Sequence, residues 1–380
     1  MKRATLFLLS ILLIAIHGHL LAAPARVTIN VAPPAETPAG SVIFIVGSDS
    51  LLGNWDAGKV PMTKGAGSLW TISLALPRGI SLEFKITRGS WESEAIYREG
   101  EVPSNITLTV DRDTVITLLP VTWRDLGFKT DDAGGITGTV RHHAALEGKG
   151  LDYKRDLTVW LPPSYETDTT KRYPVLYMHD GQNIFNPATS FTRHDWRVDE
   201  VADSLITAGS MEEVIVVAID NTPDRGEEYD DTAKGDAYMH FIVDVVKPII
   251  DSTYRTKPGR ENTGTMGSSS GGLIAFLLAW KHPEAFSKAA CISPAFFEKV
   301  RGEVESDTLP DRDIRIYIDN GSVGLEARLQ PGCDRMMEIL QKKGFVMHKN
   351  LEWFHDLNAE HNERAWAGRV WRPLMFMFGK

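Results

Sequence analysis

The segment GTMGSSSGG, residues 264–272, constrains the fold more than any other stretch. NTGTMG at 262–267, suited to a strand, leads into the serines, and GLIAFLLAWKHP at 272–283, which has helix character and stops at Pro283, follows them. A strand that turns at once into a helix needs small residues on both sides of the turn, and Gly267-Ser268-Ser269-Ser270-Gly271 supplies them. Only the middle serine, Ser269, has the Gly-x-Ser-x-Gly register in which flanking glycines relieve crowding and expose the hydroxyl.

The surrounding rhythm is strand and helix in alternation. LDYKRDLTVWLPPSY gives a strand ended by Pro162 and Pro163, and RYPVLYMHDGQ gives a short apolar strand running into Asp180 and Gly181. EEVIVVAID, residues 212–220, is a near-continuous apolar run, as expected of a parallel strand covered on both faces. WRVDEVADSLITAG at 196–209 and MHFIVDVVKPIID at 239–251 have helical spacing, and VWRPLMFMFG at the C-terminus is helical and core-like. The pattern predicts an α/β domain with a predominantly parallel sheet over 141–380.

A serine hydroxyl is a poor nucleophile until a base takes its proton. The favoured base is His361, in AEHNERAW, with His355 at the end of LEWFHD as a competitor better read as a strand-edge residue. An acid should lie between serine and histidine in the chain, the order of an α/β hydrolase. Glu326 follows the strand IRIYID at 314–319, and Asp319, which ends that strand, is the alternative acid.

Ahead of this domain the chain reads differently. VTINVAP, SVIFIVG, WTISLALP, SLEFKITRG and NITLTVD are strand-like runs divided by turn residues, with no room for a helix of normal length, which predicts an antiparallel β-sandwich over 26–121. TWRDLGFKTDDAGGITGTV, about 122–140, is a turn-rich connector. Trp55 sits in a glycine-rich turn and Trp91 follows the strand that bears Lys85. Aromatic faces can stack on sugar rings while polar side chains bond hydroxyls, although packing alone also accounts for two tryptophans.

The first residues, Lys2 and Arg3 followed by TLFLLSILLIAI and small residues at Ala22, Ala23 and Ala25, read as a secretory signal peptide over 1–25 and point to a secreted or periplasmic protein. The apolar run is short for a membrane span, so no stable membrane insertion is expected after cleavage. Loss of Lys2 and Arg3 takes the formal charge from -9 to -11, and no basic block is present, which excludes a nucleic-acid footprint. The two cysteines, Cys291 and Cys333, can pair or stay as thiols. His142 and His143 are adjacent without a partner pattern, so no metal and no cofactor is assigned.

Two resemblances extend these readings. The order LLGNWD, LW, ALPRG, LEFKITRGSW and Asn105 resembles the starch-binding carbohydrate-binding module of family 20. That resemblance implies one sugar site of Trp55, Lys85 and Trp91, with Asn105 matching a later asparagine; the insertion EAIYREGEVPS lengthens the loop beside it. Over approximately 145–379, YPVLYMHDGQNIF, the DW at 195–196, DNTPDRGEEY, GSSSGG, HPEAFSKAACISPAF and AEHNERAW resemble the putative-esterase family of α/β hydrolases, which includes enterochelin esterase, feruloyl esterases and mycolyl transferases. The family serine and histidine carry over onto Ser269 and His361, and the backbone N–H groups of Gln182 and Ser270 are implied as its oxyanion hole. The family's acid follows a Gly-Thr turn closely; here Gly321-Ser322 is followed by Val323 and Gly324, so Glu326 is a realigned choice. Arg225, Tyr229, Asp195 and Trp196 are candidates to border the pocket.

The expectation is a secreted or periplasmic serine carboxylesterase acting through an acyl-enzyme, its partner a polysaccharide or other carbohydrate ester of acyl or feruloyl type. The alternatives are a non-catalytic carbohydrate-binding protein, an acyltransferase and a siderophore-ester hydrolase.

Overall fold

The computed structural model describes residues 23–65, 67, 69–97, 105–126, 135–308 and 313–380. Residues 1–22, which hold most of the expected signal peptide, and 127–134 of the expected connector lie outside them. The chain divides into two compact units, one running to Trp91 and including Asn105–Leu119, the other comprising Pro120–Lys380 and the segment that begins at Glu92.

In the first unit, strand alternation builds the core. Ala25, Val27, Ile29 and Val31 of Ala25–Val31 are buried, while Arg26, Thr28 and Asn30 point to the other face. This strand pairs antiparallel with Trp70–Leu76 and parallel with Thr114–Leu118. A second sheet runs in the order Val60–Pro61, Phe44–Gly47, Ser81–Thr87, Ile106–Thr109, all antiparallel, and buries Leu82, Phe84 and Ile86. The helical pieces described here are single 3-10 turns. The unit is a β-sandwich of mostly antiparallel strands.

The second unit is built on eight strands, numbered within it as β1 (Thr139–Leu146), β2 (Arg155–Leu161), β3 (Val175–His179), β4 (Ile215–Ile219), β5 (Thr263–Ser268), β6 (Lys288–Ile292), β7 (Arg315–Asn320) and β8 (Leu351–His355). Their order in the sheet is β1-β2-β4-β3-β5-β6-β7-β8; the first three are joined antiparallel and the rest are parallel. Val175 and Tyr177 of β3 enter one core and Leu176 and Met178 the other, so both faces of the strand are covered and it reads as an unbroken apolar run. The Ser270–Lys281 helix behind β5 is buried from Gly271 to Trp280, as a helix apolar all round must be.

The sequence-level helix at 239–251 lies within a longer helical segment, Ala233–His240, Phe241–Val246 with π geometry and Lys247–Thr253. Thr122–Trp123, at the start of the expected connector, pairs antiparallel with Ala95–Ile96 within this unit. No helix among the described residues is long and apolar enough to cross a membrane.

Candidate active site

Ser269 stands where β5 ends and the Ser270–Lys281 helix begins, with φ 57° and ψ -124°. A non-glycine residue at positive φ costs about 1 to 3 kcal/mol and persists only where its surroundings impose it. Here they do. The Ser269 N–H donates to Ile292 O at 2.9 Å, and its carbonyl accepts from Ala295 N at 3.1 Å. The turn closes tightly enough that a Cβ on Gly267 would lie 2.4 Å from Gly271 O, and one on Gly271 would lie 3.1 Å from Asp180 Oδ2. Gly267 is therefore required by space, and at Gly271 a side chain would press on the Asp180 carboxylate.

The same 292–295 segment reaches Glu326. Ser293, fully buried with φ 44°, donates from Oγ to Glu326 Oε1 at 2.6 Å. It also accepts from Trp366 Nε1 at 3.1 Å and from Arg369 at 2.7 Å. Glu326 lies in the first turn of the Leu325–Lys342 helix after β7, with no exposed surface. His361 follows β8 in the loop before Glu363–Ala367, and its Nδ1 lies 3.4 Å from Glu326 Oε1. Its ring meets Trp366 edge-on at 5.0 Å. A separation of 3.4 Å is a polar contact longer than a good hydrogen bond.

Burial raises the Glu326 carboxyl, but His361, Ser293 and Arg369 outweigh it and hold it below the ordinary carboxylate value. Asp319 has different company. Its Oδ2 takes the Tyr317 hydroxyl at 3.0 Å and Arg369 Nε at 3.2 Å, and its Oδ1 takes Ser293 N at 3.2 Å. Burial pushes its carboxyl up despite these partners. Of the two candidate acids, Glu326 is the one in contact with His361. His355 Nε2 instead meets Gly321 O at 3.0 Å.

Gln182 lies in the Gly181–Asn183 turn after β3, and Ser270 is the first residue of its helix. Residues at these positions have no intrahelical acceptor for their N–H groups, which makes both available to a negative oxygen. The Gln182 side chain is held by Asn221, donating to its Oδ1 at 2.7 Å and accepting from its N–H at 3.1 Å. Asp180 anchors the turn in the left-handed region at φ 59°. Arg225 grips it with two bonds of 2.6 and 2.8 Å, Asn221 Nδ2 donates at 2.5 Å, and the Tyr229 hydroxyl accepts from its N–H at 3.1 Å. Burial opposes charge on Asp180, yet Arg225 and Asn221 keep its carboxyl below the usual value. Arg225 and Tyr229, pocket candidates from sequence, thus support the turn.

Trp196 is buried and packs on Trp366 at 5.5 Å. Asp195 borders a cavity of about 430 Å³ with Arg193, His194, Glu200 and Arg364. Asp195, Asp199 and Glu200 bring carboxylate oxygens within 4.8 Å of one another, the one such group with metal-ligand spacing found among the described residues. Arg197 Nε lies 3.4 Å from Glu200, and Thr137 N donates to Asp199 at 2.6 Å. His142 and His143 bond Thr158 and Tyr254. Cys291 and Cys333 are buried free thiols, both pushed up by burial.

In the sandwich, Trp55 at φ 65° and Trp91 at 37% exposure bring their rings to 6.5 Å with a 32° tilt. Lys85 lies on Ser81–Thr87, two residues from Glu83, whose carboxylate accepts from Asn105 Nδ2 at 2.8 Å.

The family comparison decides between a fold and a function. The family described as "Putative esterase" matches residues 148–376, and a starch-binding domain matches residues 24–116. The chain belongs to the Putative esterase family. This esterase is a serine hydrolase with an N-terminal carbohydrate-binding domain. It is 24% identical over 248 residues to the uncharacterized protein YbbA of Bacillus subtilis, covering 60% of this chain and 93% of that one. A ferulic acid esterase structure superposes with a TM-score of 0.53 at 22% identity, covering 63% of the esterase and 98% of that chain. The enterobactin esterase FES from Shigella flexneri, solved in the presence of enterobactin, gives 0.54 at 14% identity over 95% of this chain and 94% of its own. At these identities the structural likeness is one of fold.

Of the residues expected from sequence, the structure brings His361 and Glu326 into contact; Ser293, Trp366 and Arg369, which gather around Glu326, were not among the expected residues. Within CISPAF, a serine just after a parallel strand next to the strand that leads into Ser269 is the sequence signal for Ser293.

Proposed function

We propose that the esterase cleaves acyl or feruloyl esters on a polysaccharide through an acyl-enzyme on Ser269, with His361 as base and Glu326 as its acid. The observation that carries the assignment is the contact of His361 Nδ1 with Glu326 in a loop cluster tied by Ser293 to the Ser269 turn. With Nδ1 turned to Glu326, Nε2 is the nitrogen left for the serine. His361 takes the Ser269 proton as Oγ attacks the ester carbonyl, and the oxyanion is met by the N–H groups of Gln182 and Ser270. The carbon–oxygen bond to the sugar then breaks as His361 returns the proton to the departing alkoxide. Water attacks the acyl-serine, His361 accepts its proton and passes it to Ser269 Oγ, and the acid leaves.

The starch-binding match supports a carbohydrate-borne substrate, with Trp55, Lys85, Trp91 and Asn105 as the proposed sugar contacts. Export to the periplasm or medium would place the enzyme with such substrates. The domain arrangement 26–121, connector 122–140 and 141–380 gives binding and chemistry to separate segments. A siderophore ester is the second reading, favoured by the alignment of the enterobactin esterase over 95% of this chain.

Hydrolysis of feruloylated and acetylated polysaccharides, a catecholate triester and a nitrophenyl ester separates the readings. The polysaccharide reading expects turnover of the polymer esters to fall in a Trp55→Ala, Trp91→Ala variant while nitrophenyl ester turnover stays constant. A preference for the triester, or polymer turnover indifferent to the tryptophans, contradicts it.

A further inference from the structure

Glu363 lies two residues after His361, at the start of the Glu363–Ala367 helix, and is 3% exposed. Its carboxylate is filled from another part of the chain. Oε1 accepts from Asn183 Nδ2 at 3.3 Å, and Oε2 accepts from Thr192 Oγ1 at 2.7 Å. Asn183 is the residue after Gln182, in the turn that presents the oxyanion donor. The rest of Asn183 is committed as well: its Oδ1 accepts from Phe191 N at 2.9 Å, its carbonyl from Trp196 N at 2.9 Å, and its N–H donates to Asp180 O at 2.9 Å. Thr192 is 1% exposed.

One buried carboxyl therefore bridges the loop that carries the histidine and the turn that carries the oxyanion donor, residues about 180 apart in sequence. Chain connectivity does not fix that separation, because the two segments leave different strands, β8 and β3. Burying a carboxyl is costly, and two directed donors at one site offset the cost only where both segments hold their places. An amide at this position could accept from one donor only and would turn its own NH2 toward the other.

We propose that Glu363 is a positioning residue that holds the His361 loop and the Gln182 turn in register, so that proton transfer and oxyanion stabilisation act on the same carbonyl carbon. The proposal rests on the triad reading above. Displacement of a reacting group by about 1 Å costs on the order of 100-fold in rate, which is the scale of effect a lost bridge would have.

The test compares Glu363→Ala, Asn183→Ala, the double variant, Glu363→Gln and Ser269→Ala on a nitrophenyl ester, with active sites counted by a fluorophosphonate. The bridge predicts that kcat per titrated site falls about 10- to 100-fold in each alanine variant with KM changed less than about threefold. The double variant should be no worse than about threefold below either single, since both remove one interaction. Glu363→Gln should recover part of the loss and guards against misfolding of the alanine variant. Unchanged kcat per titrated site in Glu363→Ala, or fully additive losses in the double, overturns the bridge while inactive Ser269→Ala leaves the triad reading standing. Activity in Ser269→Ala overturns the triad reading and the bridge with it.

Discussion

His361 Nδ1 lies 3.4 Å from Glu326 Oε1, while Arg369 Nε lies 3.2 Å from Asp319 Oδ2. Asp319 near the end of β7 and Glu326 in the helix after it, both buried, thus face different partners: His361 contacts Glu326, whereas the Tyr317 hydroxyl and Arg369 Nε hold Asp319. Replacing Glu326 by Ala should lower kcat by about 10³- to 10⁴-fold, the scale of losing a triad acid. Asp319→Asn should cost chiefly stability, on the order of 3 kcal/mol, because it strips charge from a buried pair. Kinetics on titrated sites and urea unfolding of both variants separate the roles; a larger kcat loss for Asp319 would reverse them.

The Asp180–Arg225 pair supports the Gly181–Asn183 turn. Arg225→Met should destabilise the protein by about 2 to 3 kcal/mol, less than for a fully buried pair because Arg225 is 32% exposed. Arg225→Lys should recover only part of that stability, since a lysine cannot reproduce the two parallel bonds. Asp180 is held below the ordinary value, so its stabilising contribution is present above that range and lost as pH falls through its folded value. Thermal unfolding between pH 3 and 7 should show a smaller acid-side loss in the Met variant than in the wild type.

Glu363 gives the opposite sign. Burial, with Asp180 adding to it and Thr192 and Arg124 opposing, pushes its carboxyl up to about 7. A raised acid stabilises fully below its unfolded value of 4.5 and loses that contribution as pH rises through about 7. The difference is on the order of 3 kcal/mol between pH 4.5 and 8. Urea unfolding at pH 5 and 8 should show a weaker fall for Glu363→Gln than for wild type; an identical fall in both would contradict the titration.

Trp55 and Trp91 face each other at 6.5 Å on the sandwich. Replacing either by Ala should weaken starch binding about tenfold, corresponding to about 1.4 kcal/mol of lost stacking. Nitrophenyl ester turnover should not change. Affinity electrophoresis in soluble starch measures the first, and retained mobility shift in both variants would place the sugar elsewhere.

How far the sequence discloses this molecule depends on the range of each signal. β3 and β4 are legible because both faces are buried and every residue but His179 is apolar or aromatic. The Ser269 turn is legible because steric crowding demands glycine at 267 and disfavours a side chain at 271. β1, TVRHHAAL, is an edge strand with exposed residues on both faces, so its pattern carries no apolar period and it escaped notice. Ser293, Arg369 and Glu363 escaped for another reason: each acts through contacts dozens of residues away, such as Ser293 with Arg369 or Glu363 with Asn183, and no local pattern encodes those partners. The acid sat between, since chain order narrowed it to Glu326 or Asp319 but only the contact with His361 separates them.

The most direct measurement is nitrophenyl ester hydrolysis by wild type and Ser269→Ala, with stoichiometric fluorophosphonate labelling of both and folding checked by circular dichroism. The account predicts one label per wild-type chain, no label on the variant, and a loss of at least about 10⁴-fold in kcat. Equal turnover by the two proteins, or labelling that survives the substitution, would contradict it.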